Sequence, residues 1–327
     1  MLRKITINNI AWLLAIILIS LVYANLRLQF SMQYPTMSWE QFLHFTGEKP
    51  FILRILIPLL LWPIVHFTAI PTLVVLFAVE WLATIALCIS MIWVLRYWLP
   101  DQTARWIALG FITFLPLNFL WVYHFYVYFL PYDTPAILFV ILGIGLVIRQ
   151  RWGWTLLLMI PATLNRESAI LIPAMTFLVW WRRAPWKNYV IPMLGMLVIY
   201  ILIRSVLIYT FRDAPNHLLW FNFPFLDGRQ IPRILANLLW LSHYWGAIKL
   251  LQYLLFLPLL WLYARHDIPS PLNRVLILAM LYLGGLMLVA NLFESRVLGE
   301  VIGLGFVSIV VGCYLRLVRR IEAKYEI

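Results

Sequence analysis

Residues Pro161 to Pro173 read PATLNRESAILIP, and the polar triplet Asn165-Arg166-Glu167 at its centre decides how the chain folds. The triplet interrupts an apolar run that extends from about Thr155 to Trp181. A charged side chain at the centre of a bilayer costs roughly 2.5 to 3.5 kcal/mol, so it seldom faces lipid. The apolar runs on either side are each short for a crossing, since a spanning helix needs about 20 apolar residues. Two short helices that meet at a polar elbow on one membrane face satisfy both constraints. The plainer form of this reading is a tight interhelical turn, with Arg166 among headgroups and Glu167 in a helix's first turn, where acids are favoured.

Composition supports a membrane solvent. The chain is 64% hydrophobic and only 12% charged, with mean hydropathy +0.90, which excludes a soluble domain and implies an integral helical membrane protein. Its formal net charge of +12 lies mostly in short loops between apolar runs. There it sets orientation and meets anionic headgroups, so no nucleic-acid partner is implied. Cys88 and Cys313 both sit in apolar runs, so no structural disulfide is expected. Arg3 and Lys4 precede the apolar segment Ile10 to Tyr23, and no small-x-small cleavage site follows. This pattern predicts an uncleaved signal anchor with a cytoplasmic N-terminus.

Charge parity organises the remainder. The basic loops Arg149 to Arg151, Arg182 to Lys187, Arg265 to Arg274 and the tail Arg316 to Lys324 are assigned to the cytoplasm. Leu28 to Pro50 is then an external loop, in which Met37 to Phe45 reads as an interfacial helix with Trp39, Phe42 and Leu43 facing down. Pro71 to Leu95 crosses once, so Phe51 to Phe67 has no crossing left to make and lies along the outer face. Two prolines, Pro58 and Pro63, and the charged Arg54 agree with that placement. His243 to Tyr263 is expected to be one crossing, and Tyr209 to Ser242 a second long external loop, partly folded around Asn216, His217 and Trp220. The fold class expected is all-α: a polytopic bundle of about ten spans with both termini in the cytoplasm. It forms a single integral domain of the cytoplasmic membrane over 1–327, with a module 1–208, the loop 209–242 and C-terminal spans 243–327.

With that topology the unusual polar residues share the outer face: Glu40, Glu48, Arg54, Tyr132, Asp133, Asn165, Arg166, Glu167, Arg212, Asp213, Asp227, Arg229, Arg233, Glu294 and Arg296. Several have plainer readings. Asp133 before Thr134-Pro135 suits a helix N-cap, Glu294 and Arg296 a loop ion pair, and Arg54 a snorkelling side chain. Glu80, well inside a span, requires a partner that the sequence does not name. The six histidines show no ligand spacing, so no cofactor is expected, and a divalent metal stays open without support from the sequence. Together the arginines and carboxylates form a groove suited to a lipid-linked anion, because a guanidinium grips phosphate bidentately and a carboxylate can act as base.

The arrangement resembles the GT-C superfamily of polytopic glycosyltransferases. The matching stretches are PFILRILIP (Pro50 to Pro58), YDTPAILF (Tyr132 to Phe139), TLNRESAIL (Thr163 to Leu171) and FESRVLGE (Phe293 to Glu300). The resemblance implies membrane-parallel helices in the first external loop, here 28–67. It also implies a polyprenyl-phosphate-linked sugar as partner, transferred at the external face. The family usually carries a catalytic acid early in the first loop. Here Leu28 to Pro50 contains no aspartate, so Glu40, with Glu48 second, is expected as the base. Arg54, Tyr132, Asp133, Asn165, Arg166, Glu167, Glu294 and Arg296 are the expected substrate-binding residues. The other class of function open to this sequence is non-catalytic: lipid handling, transport, or a structural role in an envelope complex.

Overall fold

The computed structural model describes residues 7–33, 38–120, 128–215, 222–224, 230–292 and 294–325. It is 79% helical, and among the described residues its one sheet is a short two-stranded hairpin. The long helix α1 (Ile7–Gln29) leads to α2 (Trp39–Leu43), a single turn with its start fixed by sequence. There Ser38 Oγ accepts from the Gln41 amide at 3.0 Å, while Gln41 Oε1 accepts from the Ser38 amide at 2.8 Å. A 3-10 turn, Phe51–Leu53, precedes α3 (Leu56–Phe67), in which Pro63 removes one helical donor. At about 1.5 Å per residue, α3 falls well short of a hydrocarbon core roughly 30 Å thick. α4 (Thr72–Leu95) follows, then α5 (Asp101–Phe114), α6 (Leu117–Leu120) and α7 (Asp133–Ile148).

The elbow forms as expected. α8 (Trp152–Asn165) stops where Arg166 turns extended, and a 3-10 turn over Glu167–Ile170 redirects the chain into α9 (Leu171–Trp180). Pro173 occupies the third position of α9, where its missing N–H has no helical acceptor to lose. α10 (Lys187–Thr210) leads to a hairpin of β1 (Asn222–Pro224) and β2 (Gln230–Pro232). α11 (Arg233–Ser242), α12 (Tyr244–Tyr253), α13 (Leu257–Ala264), α14 (Ser270–Val289) and α15 (Gly299–Tyr325) complete the chain. Within 209–242, therefore, the structure supplies a hairpin and a helix. Asn216, His217, Trp220, Asp227 and Arg229 lie outside the described residues.

By length and composition, five helical stretches can cross a membrane: 9–29, α4, α10, α14 and 295–324. The expected single crossing His243 to Tyr263 is instead broken, with α12 and α13 meeting at 69°. Counted together they make a sixth. Leu255 and Phe256 adopt left-handed backbone there (φ 53° and 56°), which ends the hydrogen-bond ladder. Two bonds tie the break to α6: Asn118 Nδ2 donates to the Tyr253 carbonyl at 2.9 Å, and Gln252 Nε2 donates to that of Leu117 at 3.0 Å.

Named contacts sort the helix ends into two sets. At one end Arg27, late in α1, pairs with Asp133 at the start of α7; Arg204, late in α10, pairs with Glu167; and Arg166 pairs with Glu300 at the start of α15. At the other, Arg105 of α5 reaches Asn9 of α1, Arg149 after α7 reaches the Trp93 carbonyl near the end of α4, and Arg319 of α15 reaches Asp267 after α13. Consecutive long elements thus run alternately between a basic end and a mixed-charge end. Packing between α4 and α7 is close: a Cβ on Gly145 would fall 2.1 Å from the Trp93 ring. Arg149 lies 4.2 Å over that same ring.

Both ends of α3 belong to the mixed-charge end, since Arg54 before it pairs with Glu167 and Glu80 in the following helix bonds Thr134. In a variant lacking Cys88 and Cys313, cysteines placed at the exposed positions Thr46, Ala69 and Asp213 are expected to react with an impermeant thiol reagent from one side of the membrane. A cysteine at exposed Gln150 is expected to react only from the other. Labelling of Thr46 and Ala69 from opposite sides would make α3 a crossing helix.

Candidate functional site

The mixed-charge end buries its charges in two linked sets. The first is built around the start of α7. Asp133 is the first residue of that helix, and Tyr132 before it takes the N-cap position. The N-cap reading of Asp133 is therefore replaced by an ion-pairing one: Arg27 approaches Oδ2 at 3.2 Å and Arg166 approaches Oδ1 at 3.4 Å. Arg166 also reaches Glu300 at 3.2 Å. Arg27, Asp133, Arg166 and Glu300 are all buried within the protein, so each relies on the others for neutralisation. Burial opposes the charge on Arg166, but Glu300 and then Asp133 outweigh it and raise its pKa above the ordinary guanidinium value. Glu80 joins from α4, accepting from the Thr134 hydroxyl at 2.6 Å, which supplies the partner its position demanded.

The second set is centred on Glu167 at the elbow. Arg54 donates through Nε to Glu167 Oε2 at 3.1 Å, and Arg204 stands 3.3 Å from Oε1. Arg54 also donates through a terminal nitrogen to the Tyr132 hydroxyl at 2.5 Å and lies 4.5 Å over that ring. Asn165 Nδ2 donates to the Tyr132 carbonyl at 3.0 Å, so the elbow and the start of α7 are bonded through main chain as well. Burial would raise the Glu167 pKa; Arg54 and Arg204 more than offset that and hold it at about 2. For Tyr132 burial dominates the opposing pull of Arg54 and Arg296, and its phenol is raised above the ordinary value.

Six of the residues singled out from sequence thus form one connected group: Arg54, Tyr132, Asp133, Asn165, Arg166 and Glu167. Glu294 and Arg296 pair with each other at 2.8 Å. Arg296 also lines a cavity of about 20 Å³, room for about one water, together with Tyr23, Arg27, Asn118, Asp133 and Thr134. Glu40 stands exposed on α2, adjoining the group through Phe42, whose ring lies 5.8 Å from that of Tyr132. Glu48 is buried before the Phe51–Leu53 turn, its carbonyl accepting from the Ile52 amide at 3.0 Å.

Sequence reasoning omitted Arg27, Arg204 and Glu300 from the site. A signal existed for Arg204, a charge deep in the apolar stretch VIYILIRSVLIYT. Glu300 closes the quoted FESRVLGE segment. Arg27, at the end of the first span, is indistinguishable in sequence from an interfacial anchor. Among the described residues no three His, Cys, Asp or Glu side chains converge on a common point.

A separate apolar groove of about 480 Å³ lies along α13, α14 and α15, lined by Leu257, Trp261, Met280, Leu283, Val301 and Gly305 among others. Comparison with family models, curated proteins and solved structures yields no match to the chain.

Two stability outcomes follow from the network. Glu300→Gln is expected to destabilise the detergent-solubilised protein by about 3 kcal/mol, because it leaves Arg166 short of a buried partner. Asp213→Asn, at an exposed pair, is expected to change it by less than about 0.5 kcal/mol. For Glu167 the folded pKa lies below its ordinary 4.5, so its pairing contributes stability in full above that pH and loses it as pH falls toward 2. Thermal unfolding measured from about pH 6.5 down to about pH 2.5 should show this loss in the wild type. The corresponding component should be missing in Glu167→Gln.

Proposed function

We propose that the chain is a GT-C-type glycosyltransferase that moves a sugar from a polyprenyl-phosphate donor to an acceptor at the membrane face opposite its basic loops. The observation that carries this reading is the group of arginines, Arg27, Arg54, Arg166 and Arg204, buried or half-buried with acids at one end of an otherwise apolar bundle. Ionisable groups at such depth are costly to bury and commonly mark a functional site. Guanidinium forks match phosphate oxygens, and charge develops on that phosphate as the sugar leaves. The apolar groove along α13 to α15 supplies a surface for hydrocarbon, which supports a lipid-linked donor.

In this reading α1, α4, α5, α7, α8, α9, α10, the α12–α13 pair, α14 and α15 each cross, giving about ten spans in the cytoplasmic membrane. The short ones are tilted or locally thin the bilayer. The basic end faces the cytoplasm by the positive-inside rule, and both termini lie there. Glu40 takes the acceptor proton. It is exposed on an interfacial turn beside the network, whereas Asp133, Glu167 and Glu300 are already engaged with arginine. Arg54 holds the donor phosphate.

The 69° break between α12 and α13 favours a second reading, a non-catalytic lipid-handling or transport protein, because broken helices are common where transporters bind their cargo. A transfer assay with a labelled polyprenyl-phosphate sugar separates the two. Glu40→Gln is expected to lower turnover about a hundredfold or more with lipid binding kept, since acid–base contributions are of that size. Arg54→Ala is expected to weaken donor binding and raise KM. Full activity in Glu40→Gln with loss in Glu48→Gln would move the base to Glu48. Lipid retention without any transfer by the wild type would select the second reading.

A further inference from the structure

The two charge sets at the mixed-charge end differ in balance and in access. In the first, Arg27 and Arg166 face Asp133 and Glu300, with Glu80 beside them on Thr134, so cations do not outnumber carboxylates and all five are closed to solvent. In the second, Arg54 and Arg204 share one carboxylate, Glu167, leaving one positive charge in excess. Glu167 is also the accessible member: its side chain is 28% exposed, against 6% for Asp133 and 0% for Glu300.

We infer that Arg54 and Arg204 form a seat for a phosphate group, and that Glu167 occupies this seat as a built-in carboxylate which the phosphate displaces. The reading of the chain as a polyprenyl-phosphate enzyme supplies the source of that phosphate, and the seat itself rests on geometry. Each carboxylate oxygen of Glu167 meets a different guanidinium, Oε2 against Arg54 and Oε1 against Arg204. Two oxygens of a phosphate fit the same pair of donors. Neither arginine depends on Glu167 alone for its position. Arg54 is held by the Tyr132 hydroxyl and ring, and Arg204 approaches the Leu53 carbonyl at 3.4 Å. Both guanidiniums therefore stay in place when the carboxylate swings out through its open side. A phosphate monoester dianion, the form in which a lipid phosphate is released once its sugar has left, brings the pair to neutrality in exchange for Glu167. Glu167 is ionised at neutral pH, with its pKa held at about 2, so it competes with any incoming anion.

A purely structural Glu167 that bolts the elbow to α10 predicts the opposite response to mutation, and anion binding tells them apart. Binding of inorganic pyrophosphate and of dodecyl phosphate is measured on the purified full chain in detergent, with thermal unfolding as the check on folding. Glu167→Gln removes the competing charge and is expected to bind at least one probe tenfold or more tightly than the wild type. Glu167→Asp, whose shorter carboxylate reaches the arginines poorly, is expected to fall between them. Adding Arg204→Gln to Glu167→Gln should abolish the gain. A gain with dodecyl phosphate alone assigns the seat to a lipid phosphate, with pyrophosphate alone to a soluble one, and with both to phosphate irrespective of its carrier. Folded Glu167→Gln and Glu167→Asp that bind no tighter than the wild type would overturn the proposal, as would a gain that survives Arg204→Gln. If neither Glu167 variant folds, Glu167 is a structural bolt and the proposal falls. Tighter phosphate binding without sugar transfer keeps the seat and removes the transferase reading; transfer by the wild type without any gain in Glu167→Gln does the reverse.

Discussion

Neutralising charge buried inside the helical bundle is the constraint on which this structure depends, and Arg166 between Asp133 and Glu300 is where it acts most strongly. Water drives apolar faces together in soluble proteins, but between helices surrounded by lipid that force is absent. Close packing and polar contacts must set the register. Through Arg166 the elbow is joined to α7 and α15, and through Arg27 the same aspartate joins α1. Removing Arg166 takes from Glu300 the guanidinium that pairs with it, and a buried carboxylate left in that state costs several kcal/mol. Tight apolar contacts such as Gly145 on Trp93 then hold α4 against α7 nearer the basic end.

The two ends of the bundle manage charge differently. At the basic end arginines sit near the surface: Arg319 pairs with Asp267 while its own side chain is 67% exposed, and Arg96 and Arg105 flank Asp101. Such pairs lie in high dielectric and contribute at most about 1 kcal/mol each. Their role is orientation through the sign of the loops. At the mixed-charge end the arginines of the network are buried or half-buried, and Asp133, Glu167 and Glu300 are each held by them. Burial turns an orientation signal into a network whose members are coupled.

Much of this was legible in the sequence. The elbow followed from three polar residues in an apolar run whose two flanks are each short for a crossing. Six residues of the network were also visible, because each was stranded in an apolar context. What was not legible had physical reasons. Arg27 sits at a span terminus, where arginine is ordinary, and only the fold turns it inward onto Asp133. Pro258 marks the start of α13, but Leu255 and Phe256 carry no glycine to announce left-handed backbone, and the Asn118 side chain that bonds the end of α12 is distant in sequence. Asp133 illustrates a motif outcompeted by its surroundings. Its position before Thr134-Pro135 suited a cap, but two guanidiniums in a low-dielectric setting bind a carboxylate more strongly than backbone amides do.

The contrast between the closed and open charge sets also suggests how rigidity and exchange are combined in one site. Tyr132 belongs to both: its hydroxyl fixes Arg54, its carbonyl accepts from Asn165, and the next residue is Asp133. The closed set therefore acts as a floor that positions the open one. If Arg54 were held only by Glu167, loss of that carboxylate would free the guanidinium, and an incoming anion would have to order it again. With Tyr132 buried and anchored through its main chain, Arg54 keeps its geometry while its carboxylate partner changes. Pre-organisation of this kind lowers the entropic cost of binding. It also explains why a seat of two arginines is placed beside a deeply buried network, where lipid and loop motion disturb it least.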